Sequence, residues 1–346
     1  MSSMKGSILV TGTNGGLGSA IVKQIANDPE LSRYHGLYTV RDCHNAPVVS
    51  SILASAPSHP YELCSLDLAN LGSVRHLARD INTKVAAGTL PPIRTLILNA
   101  GLQDFGNQAW NEDGLDKVFG ANYLGHWLLT LLLLRSINKD SGRIVIIGSE
   151  AHDPHDKRNS DGKAFVEEKY KIVLQEQATV GEIARGTWCS AQEVPSFRPA
   201  FRRYGAAKLF LVMMVHELQR RLDRDASLHN VCVLGVDPGR MSTGITRQAP
   251  WFIRVLITQV LFPLLALLFP SGNVRSPALS AAHVLEAAMG SGAGLGEYPK
   301  ARYFNGLDSW ETSAEARDVV KRDWVWKESV RDARLTEGET VLEDFL

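Results

Sequence analysis

The chain has 346 residues, of which 45% are hydrophobic and 21% charged, and its 37 basic and 37 acidic side chains cancel. This is the composition of an ordinary soluble globular protein, and zero net charge removes the electrostatic case for nucleic acid or an anionic membrane surface. Cys43, Cys64, Cys189 and Cys232 are too scattered for a metal-ligand spacing and read as reduced thiols, so no metal is expected. The N-terminus runs into an apolar strand without a secretory leader's apolar core or cleavage site, which points to a cytoplasmic location.

Short apolar runs alternate with longer helix-like stretches along the chain. Strands are expected at Ser7–Thr11, Leu37–Val40, Glu62–Asp67, Thr95–Asn99, Arg143–Gly148, Val231–Val236 and Ala301–Phe304. Helices are expected at about Gly16–Asn27, Leu71–Ala86, Glu112–Ile137, Tyr204–Asp223 and Pro277–Ala288. The pattern is that of an α/β fold, a doubly wound parallel sheet of about seven strands with helices on both faces. No Pro/Gly/Ser-rich linker divides the chain, so residues 1–346 read as one domain. Three segments depart from the alternation: a polar insertion at about 150–203 with helical potential around Ala164–Gln175, an apolar segment within about 240–272, and a helical tail at about 310–346.

The first turn reads Thr11-Gly-Thr-Asn-Gly-Gly-Leu-Gly18. Between a strand and a helix, Gly12, Gly16 and Gly18 permit a tight turn and close approach of backbone to a pyrophosphate. The helix that follows offers free N–H groups and the positive end of its dipole. With Asn14 and Leu17 this loop forms the phosphate end of a Rossmann-type nicotinamide-cofactor site. Arg41 ends the second strand, 23 residues after Gly18. An arginine there accommodates the 2′-phosphate of NADP(H), whereas the adjacent Asp42 would suit the ribose of NAD(H), the weaker alternative.

Tyr204-Gly-Ala-Ala-Lys208 places a phenol and an ammonium on one helix face. A tyrosine with a pKa of about 10 exchanges protons poorly at neutral pH, and a neighbouring cation favours its phenolate. The helix continues as an apolar LFLVMMVHEL run, so the pair is expected to be buried.

These strings together resemble the short-chain dehydrogenase/reductase family, over about residues 5–245, and the Ala121-Asn-Tyr-Leu-Gly-His126 string is closest to its retinol-dehydrogenase and protochlorophyllide-reductase branches. The resemblance implies that Asp67 and Leu68 hold the adenine and that Asn99, Ala100 and Gly101 line the cofactor. It implies that Pro238, Gly239 and Thr243 contact the nicotinamide carboxamide. Tyr204 would then be the acid/base and Ser149 would steady the substrate oxygen. Lys208 would lower the tyrosine pKa and bind ribose, and Asn122 would hold a water in a proton relay. His126 reads as a satisfied core histidine. Glu150 departs from the small or apolar residue usual beside the serine.

Ser149 and Tyr204 are 55 residues apart, far more than the family usually places between them. Monomeric carbonyl reductases carry insertions at the same place. The insertion is therefore expected to cover the helices through which family members pair, leaving a monomer, and its His152 and His155 are expected to be solvated. Trp251–Phe269 is broken by Arg254, Thr258, Gln259 and Pro263 and falls short of the roughly 20 apolar residues a bilayer span requires. It reads as a greasy substrate lid, or alternatively as a face for peripheral membrane contact. The expected activity is NADP(H)-dependent hydride transfer to or from the carbonyl or alcohol of a bulky apolar, steroid- or retinoid-like or secondary metabolite. The alternatives are C=C reduction at the same site and a non-catalytic NADP-binding regulator.

Overall fold

The computed structural model describes residues 4–191, 196–241, 272–292 and 294–346. Thr243, all but the first residues of the expected lid, and the 251–269 segment lie outside them. In chain order the first half contains β1 (Ser7–Val10), α1 (Gly16–Asn27), β2 (His35–Val40), α2 (Pro47–Ala54), β3 (Tyr61–Ser65), α3 (Leu71–Ala86) and β4 (Ile93–Leu98). Then come α4 (Lys117–Phe119), a π-helical turn at Gly120–Leu124, α5 (Gly125–Leu133) and β5 (Arg143–Ile147). The second half has α6 (Ala178–Arg185), α7 (Phe197–Leu222), β6 (Cys232–Asp237), α8 (Pro277–Met289), β7 (Arg302–Asn305), β8 (Asp308–Ser309), α9 (Ala314–Arg317) and α10 (Val319–Ala333).

One sheet runs β3-β2-β1-β4-β5-β6-β7-β8, parallel throughout except for the β7–β8 pair. Side chains alternate across it because successive Cβ atoms of a strand point to opposite faces. Leu9, Leu96, Ile144 and Ile146 join the core shared with α3, α5 and α7, while Ile8, Val10, Val145 and Ile147 join the core under α1, α2 and α8. Strand order reverses between β1 and β4, which opens a crevice at the strands' C-terminal ends.

The sheet has eight strands rather than about seven, because β8 is two residues long and carries no alternation to detect. Helix α2 escaped the sequence reading; Pro47 opens it, and the Asn14 side chain accepts from the Val48 and Val49 N–H groups at 3.0 and 3.2 Å. The helix expected at Ala164–Gln175 does not form; that stretch holds only a 3₁₀ turn at Glu168–Tyr170, and the insertion's helix is α6 further on. The helix expected over Glu112–Ile137 starts at Lys117, where the Asp116 carboxylate caps Val118 and Phe119, and ends at Leu133. Helix α7 starts seven residues before Tyr204, with Pro199 in its first turn, where the missing N–H is no loss.

All nine residues of α5 are buried. The C-terminal tail shares in the covering expected of the insertion. Trp326 of α10 packs edge-on against Trp127 at 5.3 Å and donates its indole N–H to the Phe345 carbonyl at 2.8 Å, while Thr340 bonds the Leu131 carbonyl. The insertion contributes beside it, as the Asp116 N–H meets the Ala184 carbonyl at 2.8 Å. Among the described residues no helix is long and apolar enough to cross a membrane.

Candidate active site

A cavity of about 1340 Å³ fills the crevice, and Gly12, Asn14, Gly16, Leu17, Gly18, Arg41, Asp67, Leu68, Asn99, Ala100 and Gly101 all line it. Gly12 has φ +72°, and a Cβ there would fall 2.8 Å from the Ala100 Cα. At Gly18 a Cβ would fall 2.4 Å from the Gly12 carbonyl oxygen. The loop is thus wedged against the end of β4 and only glycine fits. Asn99 ties the two together, its amide donating to the Thr11 carbonyl at 2.7 Å, while the Thr11 hydroxyl accepts from the Asn99 and Ala100 N–H groups at 2.9 Å. Helix α1 has no side-chain cap and no acidic residue in its first turn, so its amides remain available to an anion. This cradle fits a dinucleotide pyrophosphate. Asn14 and Asp67 also have structural duties: Asn14 caps α2, and the Asp67 carboxylate accepts from the Ala69 N–H at 3.0 Å. Arg41 is exposed at the cavity edge beside Asp42.

Ser149, Tyr204, Lys208, Pro238 and Gly239 line the same cavity. Ser149 lies two residues beyond the end of β5 and caps a 3₁₀ turn at Glu150–His152, its hydroxyl accepting from the Ala151 N–H at 3.2 Å. Tyr204 and Lys208 project from one face of α7; the ammonium lies 5.7 Å from the phenol ring's centre and donates to the Ile147 carbonyl at 2.7 Å. Burial pushes the lysine down to about 8. The phenol is raised above its ordinary value, first by burial and then by the charge of Glu150, with a Ser149 hydrogen bond opposing. Desolvation is the dominant influence on the phenol.

Asn122 sits in the π-helical turn, where its side chain both accepts from the Leu102 N–H at 2.7 Å and donates to the Leu102 carbonyl at 2.9 Å. His126 is fully buried between the Thr11 hydroxyl at 3.0 Å and the Asn122 carbonyl at 3.1 Å, and burial lowers it to about 4. It links the phosphate loop to the π turn as an uncharged core residue. His152, expected to be solvated, is instead buried and bonded to the Ser149 carbonyl at 2.7 Å and the Ser313 N–H at 3.2 Å.

The insertion supplies part of the cavity wall, which spacing alone could not reveal. Asn159, Asp161 and Gly162 line it. Arg158 reaches under it to Asp237 at 2.9 Å and also pairs with Asp156 at 2.6 Å. Arg240, in the string after Pro238-Gly239, pairs with Glu150 at 2.9 Å. Phe105, Phe197 and Phe201 continue the wall from Tyr204, with centroids 5.8 Å apart for 105–197, 5.5 Å for 197–201 and 6.1 Å for 201–204. Phe105 has φ +51°, a strained backbone for a bulky residue. Neighbouring Asp104 holds it there, accepting from the Gly106 N–H and pairing with the buried Arg203 of α7 at 2.6 Å.

A parallel sheet whose glycine-rich first turn faces a Ser/Tyr/Lys cluster across a strand-order reversal defines a dinucleotide-dependent oxidoreductase. The model of the short chain dehydrogenase family matches residues 7–160. A short-chain dehydrogenase, iccH of Talaromyces variabilis, is 40% identical over 98% of both chains. The chain belongs to the short-chain dehydrogenase/reductase family and is an oxidoreductase of the CH–OH/C=O class. Among solved structures, an uncharacterised protein from Mycobacterium paratuberculosis aligns over 95% of this chain and 94% of its own, with TM-score 0.62 and 21% identity. The angucycline C-6 ketoreductase LanV, with bound NADP, aligns over 87% of this chain and 93% of its own, with TM-score 0.56 and 16% identity. At those identities the likeness is one of fold.

Proposed function

We propose that this chain is an NADP(H)-dependent carbonyl reductase, or alcohol dehydrogenase in reverse, for a bulky apolar substrate. The convergence of Ser149, Tyr204 and Lys208 on the cavity that the glycine-rich loop enters carries the reading. Arg41 at the adenosine end favours the 2′-phosphate of NADP(H), and LanV's bound NADP is in keeping with that choice. Bound NADPH supplies the hydride; the residues of the chain supply the proton and the geometry.

The substrate carbonyl oxygen sits between the Ser149 and Tyr204 hydroxyls. Tyr204 transfers its phenolic proton to that oxygen as negative charge develops, giving the alcohol and leaving a phenolate. The Lys208 ammonium, one helical turn away, stabilises that phenolate. Asn122 keeps the π turn and the strand-end loop in register through its paired bonds to Leu102, and is assigned the water of the proton relay. Pro238 and Gly239, with Thr243 beyond the described residues, are assigned the carboxamide contact. The aromatic wall of Phe105, Phe197 and Phe201 suits a bulky apolar substrate. A panel of alkyl, aryl and polycyclic ketones, followed by NADPH absorbance, tests the assignment. Turnover of bulky ketones that is lost in Tyr204→Phe is the expected result; a panel with no NADPH-dependent turnover would refute it.

A further inference from the structure

Glu150 is a buried carboxylate whose negative charge, like that of Asp237, acts on the acid/base tyrosine. Its side chain accepts from the Ser149 hydroxyl at 3.2 Å on Oε2, and Arg240 pairs with Oε1 at 2.9 Å. Its backbone carbonyl is fixed by the Asn159 amide at 2.9 Å. The two side-chain contacts hold the carboxylate against the Ser149 hydroxyl, which also bonds the Tyr204 phenol. Arg240 is fixed in turn, bonding the Arg158 carbonyl and lying 3.4 Å from Asp161. The other charged or titratable groups around the pair, among the described residues, are Asp237 on β6, Arg158 and Asp156 from the insertion, His152 on the turn, Lys208 on α7 and Tyr303 on β7.

We propose that Glu150 is a positioning residue for proton transfer: its carboxylate, clamped by Arg240 and bonded to Ser149, keeps the Tyr204 phenol loaded with its proton and so biases the site toward carbonyl reduction. The inference rests on the assignment of Tyr204 as acid/base. A fixed negative charge beside a phenol disfavours the phenolate, and the phenolate is the form an alcohol oxidation must start from. The raised phenol, with Glu150 the second cause after burial, agrees in direction. Arg240 meters the effect, because its positive charge offsets part of the carboxylate's field. The pair thereby joins the ends of β5 and β6 to the charge state of the tyrosine.

The prediction is one of opposite signs. Removing the negative charge in Glu150→Gln makes ionisation of Tyr204 easier, and removing the positive charge in Arg240→Met makes it harder. The test needs no substrate. Ultraviolet tyrosinate absorbance is titrated for each protein and for the same protein carrying Tyr204→Phe, and the difference isolates Tyr204. Titrations are run without cofactor and with saturating NADP⁺, and circular dichroism marks the pH range in which each variant stays folded. Glu150→Gln is expected to move the midpoint down by about one pH unit. Arg240→Met moves it up, and the double variant returns it close to the parent. An unmoved midpoint in Glu150→Gln, or shifts of the same sign in both single variants, overturns the proposal. Failure of the acid/base assignment itself would look different, since Tyr204→Phe would keep its turnover on the ketone panel whatever the titration gave.

Discussion

Lys208 is charged, buried to 3% exposure and bonded to one backbone carbonyl, Ile147, so the apo protein should be at least as stable without it. Burial lowers the ammonium from 10.5 to about 8. At about 1.36 kcal/mol per unit, that is about 3 kcal/mol by which folding is disfavoured at neutral pH. Lys208→Met removes this cost and keeps most of the volume, but forfeits the bond to Ile147, worth about 1.5–3 kcal/mol for a charged donor. The variant is therefore expected to be as stable as the parent or up to about 1.5 kcal/mol more stable at pH 7, and inactive. The sign of the pH dependence is independent of the forfeited bond. The lysine's folded value is depressed, so its cost is fully present below about 8 and is relieved as pH rises from there toward 10.5. Relative to the parent the variant should lose about 2.5 kcal/mol between pH 7 and pH 10, leaving it the less stable of the two at pH 10. Urea denaturation of cofactor-free protein at both pH values measures it. A stability gap that does not change with pH would refute the claim that the ammonium is held against its desolvation cost.

Tyr204→Phe should lower kcat by at least about 100-fold, the contribution of a placed general acid, while calorimetric NADPH affinity stays largely unchanged; retained turnover would remove the residue from proton transfer. Arg41→Ala should shrink a preference for NADPH over NADH of at least about tenfold in kcat/KM, since a bond to a charged group contributes about 1.5–3 kcal/mol; equal use of both cofactors by the parent would transfer the role to Asp42. Trp326→Ala should destabilise the protein by about 4 kcal/mol, because removing a fully buried indole packed edge-on against Trp127 leaves a cavity. Light scattering should find the parent monomeric, because the tail covers α5 and α7. A stable dimer through those two helices would contradict the packing described above.

The alternation of apolar runs and the order of the short strings determined the sheet, its parallel sense and the cavity residues from Gly12 to Lys208. Those features are local: a glycine with positive φ, a strand-end serine and a phenol one turn from an ammonium are each fixed by a few neighbouring residues. Composition could not reveal β8 or α2, because a two-residue strand has no period and α2 depends on a cap supplied from the phosphate loop by Asn14. The missing helix at 164–175 has the same cause in reverse, since local propensity gave way to what the insertion packs against. Only the tertiary structure decided that Asn159 and Asp161 come back to the active-site wall, that Arg158 pairs with Asp237 and that Arg240 clamps Glu150. It also decided that the tail packs onto the α5–α7 face beside the insertion. Partners separated by 79 or 90 residues leave no spacing signal, and a buried charge announces itself only when its counter-charge is folded against it.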